Sequence, residues 1–356
     1  MRKIVMTGGG TAGHVNPNLA LMPKLEKLKY EIVYIGSKTG IEREIIGKTA
    51  IPYHAISSGK LRRYLDVKNF TDPFKVGAGF FQALGILRKE KPDIVFSKGG
   101  FVSVPVVAAA RVLKIPVLAH ESDLTPGLAN KIAARFADKL LVTFPETLPH
   151  VGEKGILVGS PIREELFTGD GEKARTQAGF SAEKPVILVM GGSIGSVKIN
   201  EALRSLLPEL LEKYSVFHLC GKGNLQEELG DLPGYVQMEY AGKEMRDLLQ
   251  AADLIVSRAG ANAIFEFLAL RKPNLLIPLS LASSRGDQIL NAESFEKKGY
   301  SKVLKEELMT PQTLKASLED LYLHRADYVR VMEKSGLDNA TDKIVELIER
   351  YAAQKR

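Results

Sequence analysis

The residues best placed for chemistry near the start of the chain are Gly8-Gly9-Gly10-Thr11-Ala12-Gly13-His14. They follow Ile4-Val5-Met6, an apolar run that reads as a buried strand, and precede Pro17 to Leu28. In that segment Leu19, Leu21, Met22, Leu25 and Leu28 fit one helical stripe. Strand, glycine loop and helix in that order turn backbone N–H groups and the positive end of a helix dipole toward one spot, which suits a phosphate. Gly8, Gly10 and Gly13 also match the G-x-G-x-x-G spacing of dinucleotide-binding turns, so the glycines alone leave the ligand open. His14 is the sharper feature. An imidazole titrates near neutral pH and can take a proton there, although a surface histidine on a tight turn would look the same.

Further chemistry-bearing groups stand where strands should end. Gly191-Gly192-Ser193-Ile194-Gly195 follows the apolar strand Val186 to Met190 and opens onto a helix, so backbone N–H groups and the Ser193 hydroxyl could grip a diphosphate. Ser193 as a plain helix cap is the competing reading. Arg163, in Gly159-Ser160-Pro161-Ile162-Arg163, could present its fork to phosphate oxygens or pair with Glu164 or Glu165. Ser257-Arg258-Ala259-Gly260-Ala261-Asn262 follows another strand, with Glu266 in the first turns of the next helix. A carboxylate can accept both hydroxyls of a ribose diol, or simply complement a helix dipole. Gln288, beside Asp287, could offer its amide to sugar hydroxyls or simply belong to a helix-capping region. In the first half, Ser97-Lys98-Gly99-Gly100 is another glycine turn and His120-Glu121-Ser122-Asp123 another strand end; His120 alternatively reads as a structural histidine.

These loops need a scaffold that collects strand ends. Strands at 31–35, 53–56, 93–97, 116–120 and 139–142 alternate with helices at 39–48, 74–90, 102–113 and 128–136, which specifies a doubly wound parallel sheet. The pattern restarts at Val186, with strands at 216–220, 236–240, 254–257, 275–277 and 301–304, and ends in about 45 helical residues. The fold class is therefore α/β, with two Rossmann-like domains facing a cleft. Expected bounds are 1–160, 161–340 and a C-terminal helix at 341–356. Ligands in such sheets lie beyond the carboxyl ends of the strands, so each domain should hold one substrate.

Composition narrows the classes. The chain has 356 residues, 45% of them hydrophobic, enough for two domains. One cysteine, Cys220, excludes an internal disulfide and a cysteine-based metal site. The N-terminus is no signal peptide, and no run approaches the ~18–20 apolar residues of a membrane span. Residues 1–160 carry 23 Lys and Arg against 13 Asp and Glu, while the remainder carries 26 against 29. The basic half should meet something anionic. Without tryptophan or basic stretches interleaved with aromatics, a membrane surface or phosphorylated lipid fits better than nucleic acid. In the helix at 74–87, Phe74 and Phe81 lie off the stripe of Val76, Phe80, Leu84 and Leu87, with Lys75, Arg88, Lys89 and Lys91 flanking it. A second, membrane-facing surface and full burial are both open readings. No metal-ligand spacing and no Asp-x-Asp occurs, so neither metal nor cofactor is expected.

The ordered set of motifs resembles a known family. Gly8–His14, Ser97–Pro105 (SKGGFVSVP), His120–Asn130 (HESDLTPGLAN), Gly159–Arg163 (GSPIR), Gly191–Gly195 (GGSIG), Ser257–Glu266 (SRAGANAIFE) and Asp287–Ala292 (DQILNA) are similar, in order, to the bacterial peptidoglycan glycosyltransferases that add N-acetylglucosamine to lipid I, the MurG type with the two-domain B fold. The resemblance implies a donor, UDP-N-acetylglucosamine (UDP-GlcNAc), in the second domain. It implies an acceptor, lipid I, in the first domain at the cytoplasmic face of the membrane. His14 is then the favoured base and Glu121 the second candidate. Thr11, Ala12, Gly13 and Asp123 belong beside the substrates, Arg163 and Ser193 on the UDP phosphates, Asn262 and Glu266 at the ribose end, Gln288 on the sugar, and the backbone at Ala241 on uracil. Ala12 stands where the family usually has glycine, Asp123 where some members have asparagine, and Asp287 where histidine or glutamine is commoner; Ser283-Ser284-Arg285 departs as well. Rival readings are a glycosyltransferase with diacylglycerol as acceptor, a UDP-GlcNAc epimerase, an NAD-dependent dehydrogenase and a non-catalytic membrane scaffold. No acidic residue stands in sequence at Ile35-Gly36-Ser37, the tip of the second strand, which argues against the dehydrogenase.

Overall fold

The computed structural model describes residues 2–59, 68–192, 195–337 and 339–354. The chain divides into two units, residues 1–163 with 339–356 and residues 164–338.

The first unit runs β1 (Lys3–Thr7), α1 (Asn16–Lys27), β2 (Glu31–Ser37), α2 (Ile41–Ile46), β3 (Tyr53–Ile56), α3 (Lys68–Glu90), β4 (Ile94–Ser97), α4 (Ser103–Val112), β5 (Val117–Glu121), α5 (Leu128–Phe136), β6 (Lys139–Val142), α6 (Leu148–Val151) and β7 (Gly155–Leu157). The strands form one parallel sheet in the order β3-β2-β1-β4-β5-β6-β7. Residues 4–6 of β1, 94–96 of β4 and 117–119 of β5 are apolar without alternation because both faces of the sheet's centre are covered. Ile4 and Met6 of β1 join one core with Leu21 and Leu25 of α1, while Val5 joins the other with Val106 and Val107 of α4.

The second unit runs α7 (Gly171–Gln177), β8 (Val186–Met190), α8 (Val197–Lys213), β9 (Ser215–Leu219), β10 (Tyr235–Met238), α9 (Met245–Ala251), β11 (Leu254–Ser257), α10 (Ala261–Ala269), β12 (Asn274–Leu276), α11 (Asp287–Lys297), β13 (Lys302–Val303), α12 (Pro311–Leu323) and α13 (Arg325–Glu333). Its parallel order is β10-β9-β8-β11-β12-β13. The last helix, α14 (Thr341–Ala352), returns to the first unit. Ile344, Val345 and Ile348 pack into the core that holds Ile4 and Leu25, and Lys24 pairs with Asp342.

Both sheets reverse their strand order beside their first strand, and that is where a doubly wound sheet opens a crevice. In the first unit the reversal lies between β1 and β4, whose last residues Thr7 and Ser97 are in register. In the second it lies between β8 and β11, where Met190 and Ser257 are in register. The glycine loops therefore emerge in pairs, Gly8 beside Lys98 and Gly191 beside Arg258. Two differences from the sequence reading are small. Helix α3 begins at Lys68, earlier than residue 74, and β7 is an additional three-residue strand.

Candidate active site

In the first unit the glycine loop is held rigidly. The buried Tyr34 hydroxyl donates to the Gly8 carbonyl at 2.8 Å, and Asn18 Nδ2 donates to Tyr34 at 3.1 Å. Gly9 N–H donates to the Gly99 carbonyl at 3.3 Å. A Cβ on Gly100 would lie 2.1 Å from the Gly9 carbonyl oxygen, so the two glycine turns touch backbone to backbone. Beyond them the chain makes a short 3-10 turn, Ala12–His14, before α1. Thr11 is exposed at its start, Ala12, Gly13 and His14 are half-buried, and His14 Nδ1 lies 3.1 Å from Thr11 Oγ1.

The Gly10 N–H does not await a ligand phosphate, as the loop's sequence suggests. It donates at 3.0 Å to Glu42 Oε2 from α2. The other carboxylate oxygen, Oε1, accepts from Ser37 N–H at 3.0 Å and from the Ser37 hydroxyl at 2.5 Å. An acid thus does stand at the tip of β2, where the sequence around Ser37 has none. It is fully buried and turned to the protein's own loop.

The strand end at β5 is a hub. Glu121 is buried; its Oε1 accepts from Asp123 N–H at 3.0 Å, and its Oε2 from Gly127 N–H at 3.0 Å and Asn130 Nδ2 at 2.9 Å. Burial raises its pKa above the ordinary carboxylate value and the neighbouring Asp123 adds to this, while Lys98 and these hydrogen bonds oppose it. Lys98 is buried with its ammonium on the Ser122 hydroxyl, and burial pulls its pKa down to about 8 against the pull of Glu121 and Asp123. His120 is a structural histidine. Its Nε2–H donates to the Gly159 carbonyl at 3.0 Å, and burial, with Lys98 nearby, holds the ring neutral, its pKa well below the usual value. The Thr143 hydroxyl donates to the Glu121 carbonyl at 2.8 Å and lies 3.5 Å from that of Gly159. Through Gly159 the hub reaches the segment ending in half-buried Arg163. Thr11 to His14, Glu121, Asp123 and Arg163 accordingly all lie at the carboxyl ends of strands of one sheet.

In the second unit Ser193 lies outside the described residues. The observed cap of α8 is Ser196, whose hydroxyl accepts from Ile199 N–H at 3.4 Å. Arg258 is buried and joins three loops: Nη2 donates to Ser196 Oγ at 2.6 Å and to Glu306 Oε1 at 2.5 Å, and Nη1 to the Ile277 carbonyl at 3.1 Å. Nothing in the sequence singled out Glu306. On α10, half-buried Asn262 and Glu266 are four residues apart and so share a face. Gln288, in the first turn of α11, accepts from Leu279 N–H at 3.1 Å through Oε1. Gly286 precedes that helix with a left-handed φ of 88°. Ala241 is buried just beyond β10. The second-unit candidates likewise follow strand ends.

Residues 4–142 match the glycosyltransferase family 28 N-terminal domain, and residues 186–350 match the glycosyltransferase family 28 C-terminal domain. The UDP-N-acetylglucosamine--N-acetylmuramyl-(pentapeptide) pyrophosphoryl-undecaprenol N-acetylglucosamine transferase of Clostridium kluyveri is 59% identical over 352 residues, covering 99% of this chain and all of that protein. Among solved structures, MurG of Acinetobacter baumannii is 27% identical with a TM-score of 0.76, covering 98% of this chain and 100% of that one. A UDP-N-acetylglucosamine 2-epimerase, 14% identical with a TM-score of 0.68 over 100% of this chain and 97% of its own, shares the fold alone.

Proposed function

The chain belongs to glycosyltransferase family 28, and from that premise we infer its reaction. It is a UDP-GlcNAc-dependent N-acetylglucosaminyltransferase that glycosylates lipid I, the undecaprenyl-pyrophosphoryl-N-acetylmuramyl-pentapeptide, and so makes lipid II for peptidoglycan. The observation that carries this reading is 59% identity along the whole chain to a transferase named for that reaction.

The proposed chemistry is an inverting transfer. The muramyl 4-hydroxyl oxygen attacks the anomeric carbon from the face opposite UDP. The bond from that carbon to the diphosphate breaks, and its electron pair leaves on UDP. His14 takes the hydroxyl proton, with Thr11 beside Nδ1 orienting the ring. Glu121 is the less suitable base, because both its oxygens already accept N–H donors. It shapes the loop bearing Asp123 instead, and Thr11, Ala12, Gly13 and Asp123 position the acceptor. Arg163 and Ser193 stabilise the charge that grows on the departing diphosphate. Glu266 accepts the ribose hydroxyls, Asn262 supports that end of the donor, Gln288 orients the amino sugar, and the backbone at Ala241 meets uracil.

The proposed setting is the cytoplasmic membrane surface, where a lipid acceptor resides. Among the described residues no helix is long and apolar enough to cross a membrane. Phe74 and Phe81, seven residues apart on α3, are 81% and 71% exposed, with Lys75, Arg88 and Lys89 on the same helix. Such a face fits insertion among anionic headgroups.

The test is product identity. Incubation with UDP-GlcNAc and a lipid I analogue should give the β-1,4-linked disaccharide lipid and UDP. A glycosylated diacylglycerol, or UDP-N-acetylmannosamine formed without any acceptor, would refute the reading.

A further inference from the structure

We propose that Glu42 is the resident anion of the first unit's glycine loop, occupying the seat that such a loop keeps for a ligand phosphate and thereby holding the turn that carries Thr11 and His14.

The seat is built around this side chain. Glu42 is completely buried, and its two oxygens accept from Gly10 N–H, Ser37 N–H and the Ser37 hydroxyl at 2.5–3.0 Å. Three glycines make room for it. A Cβ on Gly9 would lie 2.4 Å from the carboxyl carbon, one on Gly40 would crowd the carboxylate oxygens, and one on Gly36 would lie 2.9 Å from Cγ. Burial pushes the carboxyl pKa up, yet these hydrogen bonds outweigh it and leave it below the ordinary value, so the group is an anion at neutral pH. The Tyr53 hydroxyl, donating to the Ser37 carbonyl at 2.6 Å, fixes the far wall.

The consequences concern the reaction and rest on the function proposed above. A fixed carboxylate on Gly10 N–H orients the peptide between Gly9 and Gly10, one residue before Thr11, so Glu42 is a positioning residue for the base and not a catalytic one. It also leaves no place for a diphosphate at Gly9 and Gly10. Two units with the same nucleotide-binding layout are thereby told apart, and the nucleotide is directed to the second. The acceptor pyrophosphate must find donors other than Gly9 and Gly10, whose N–H groups are already given to Gly99 and Glu42.

The experiment uses full-length protein and two variants. In Glu42→Ala the three donors face a space that sodium formate can fill. Its kcat should fall at least about tenfold, given that small misplacements of reacting groups can cost about 100-fold. The KM for UDP-GlcNAc should stay within about twofold, because the donor is held by the other unit. Added formate should raise both the Tm and the kcat of this variant, and neither in the wild type. Glu42→Gln retains the volume and the fold, and should lose kcat with an unchanged UDP-GlcNAc KM even where the alanine variant does not fold. Wild-type kcat in Glu42→Gln, or a folded Glu42→Ala whose Tm ignores formate, overturns the proposal. The thermal shift needs no turnover. A wild type inactive on lipid I would therefore defeat the assigned function while leaving the anion seat separately tested.

Discussion

Asn130 Nδ2 donates to Glu121 Oε2 at 2.9 Å, linking the first turn of α5 to the end of β5. The same carboxylate also accepts the N–H groups of Asp123 and Gly127, so its removal would strand three donors at a buried site. An unpartnered buried donor costs roughly 1–3 kcal/mol, and some of these would find water. Glu121→Ala should therefore lose about 3 kcal/mol of stability in urea unfolding. An unchanged midpoint would mean that the loop does not depend on this carboxylate.

Lys98 gives a pH signature. Its pKa is about 8 in the folded protein, chiefly through burial, against about 10.5 in the unfolded chain. Below pH 8 both states hold the proton and the fold bears a buried charge. Between about pH 8 and 10.5 the unfolded chain binds more protons, so this group makes stability rise with pH, by about 3 kcal/mol in all. The difference between wild type and Lys98→Met in urea unfolding should grow in favour of the wild type across that window. A flat difference would show that the ammonium is not buried as described.

Arg258 and Glu306 form a buried ion pair that also holds Ser196 at the start of α8. Burial pushes the Glu306 carboxyl up, but Arg258 and Lys198 keep it below its ordinary pKa. Removing one partner of such a pair costs about 3–5 kcal/mol because it leaves an uncompensated charge. Arg258→Ala should be destabilised on that scale and should raise the KM for UDP-GlcNAc, while adding Glu306→Ala should restore part of the stability. Additive losses in the double variant, measured by chemical unfolding, would deny the coupling.

Much of this was legible beforehand. Glycine loops after apolar strands locate the sheet ends, and the alternation of strands and helices specifies the two parallel sheets. The hidden parts depend on partners distant in sequence. Glu42 looks like a first-turn acid complementing a helix dipole, and only the fold brings it to Gly10, 32 residues away. Lys98 sits in a glycine turn like a phosphate-binding lysine, yet its ammonium is spent on Ser122. Glu306 carries no local pattern that points to Arg258. Strand β7 has only Ile156 and Leu157 to announce it, and both are half-buried. The stripe Ile344, Val345 and Ile348 marks a helix but not the sheet it covers.

The exposed pair Phe74 and Phe81 bears on membrane attachment. Burying one such ring is worth about 1.5–3 kcal/mol, so replacing both with serine should weaken sedimentation with anionic vesicles by at least about tenfold. Activity on a water-soluble acceptor analogue should be retained. Equal vesicle binding by the variant would remove α3 from the interface.

Acceptor-dependent transfer with His14 as base is tested by the rate of UDP release from UDP-GlcNAc with and without a lipid I analogue, in wild type and His14→Ala. Release should require the acceptor and fall about 100-fold or more in the variant, with the UDP-GlcNAc KM unchanged. Release indifferent to the acceptor, or an equal kcat in the two proteins, would contradict it.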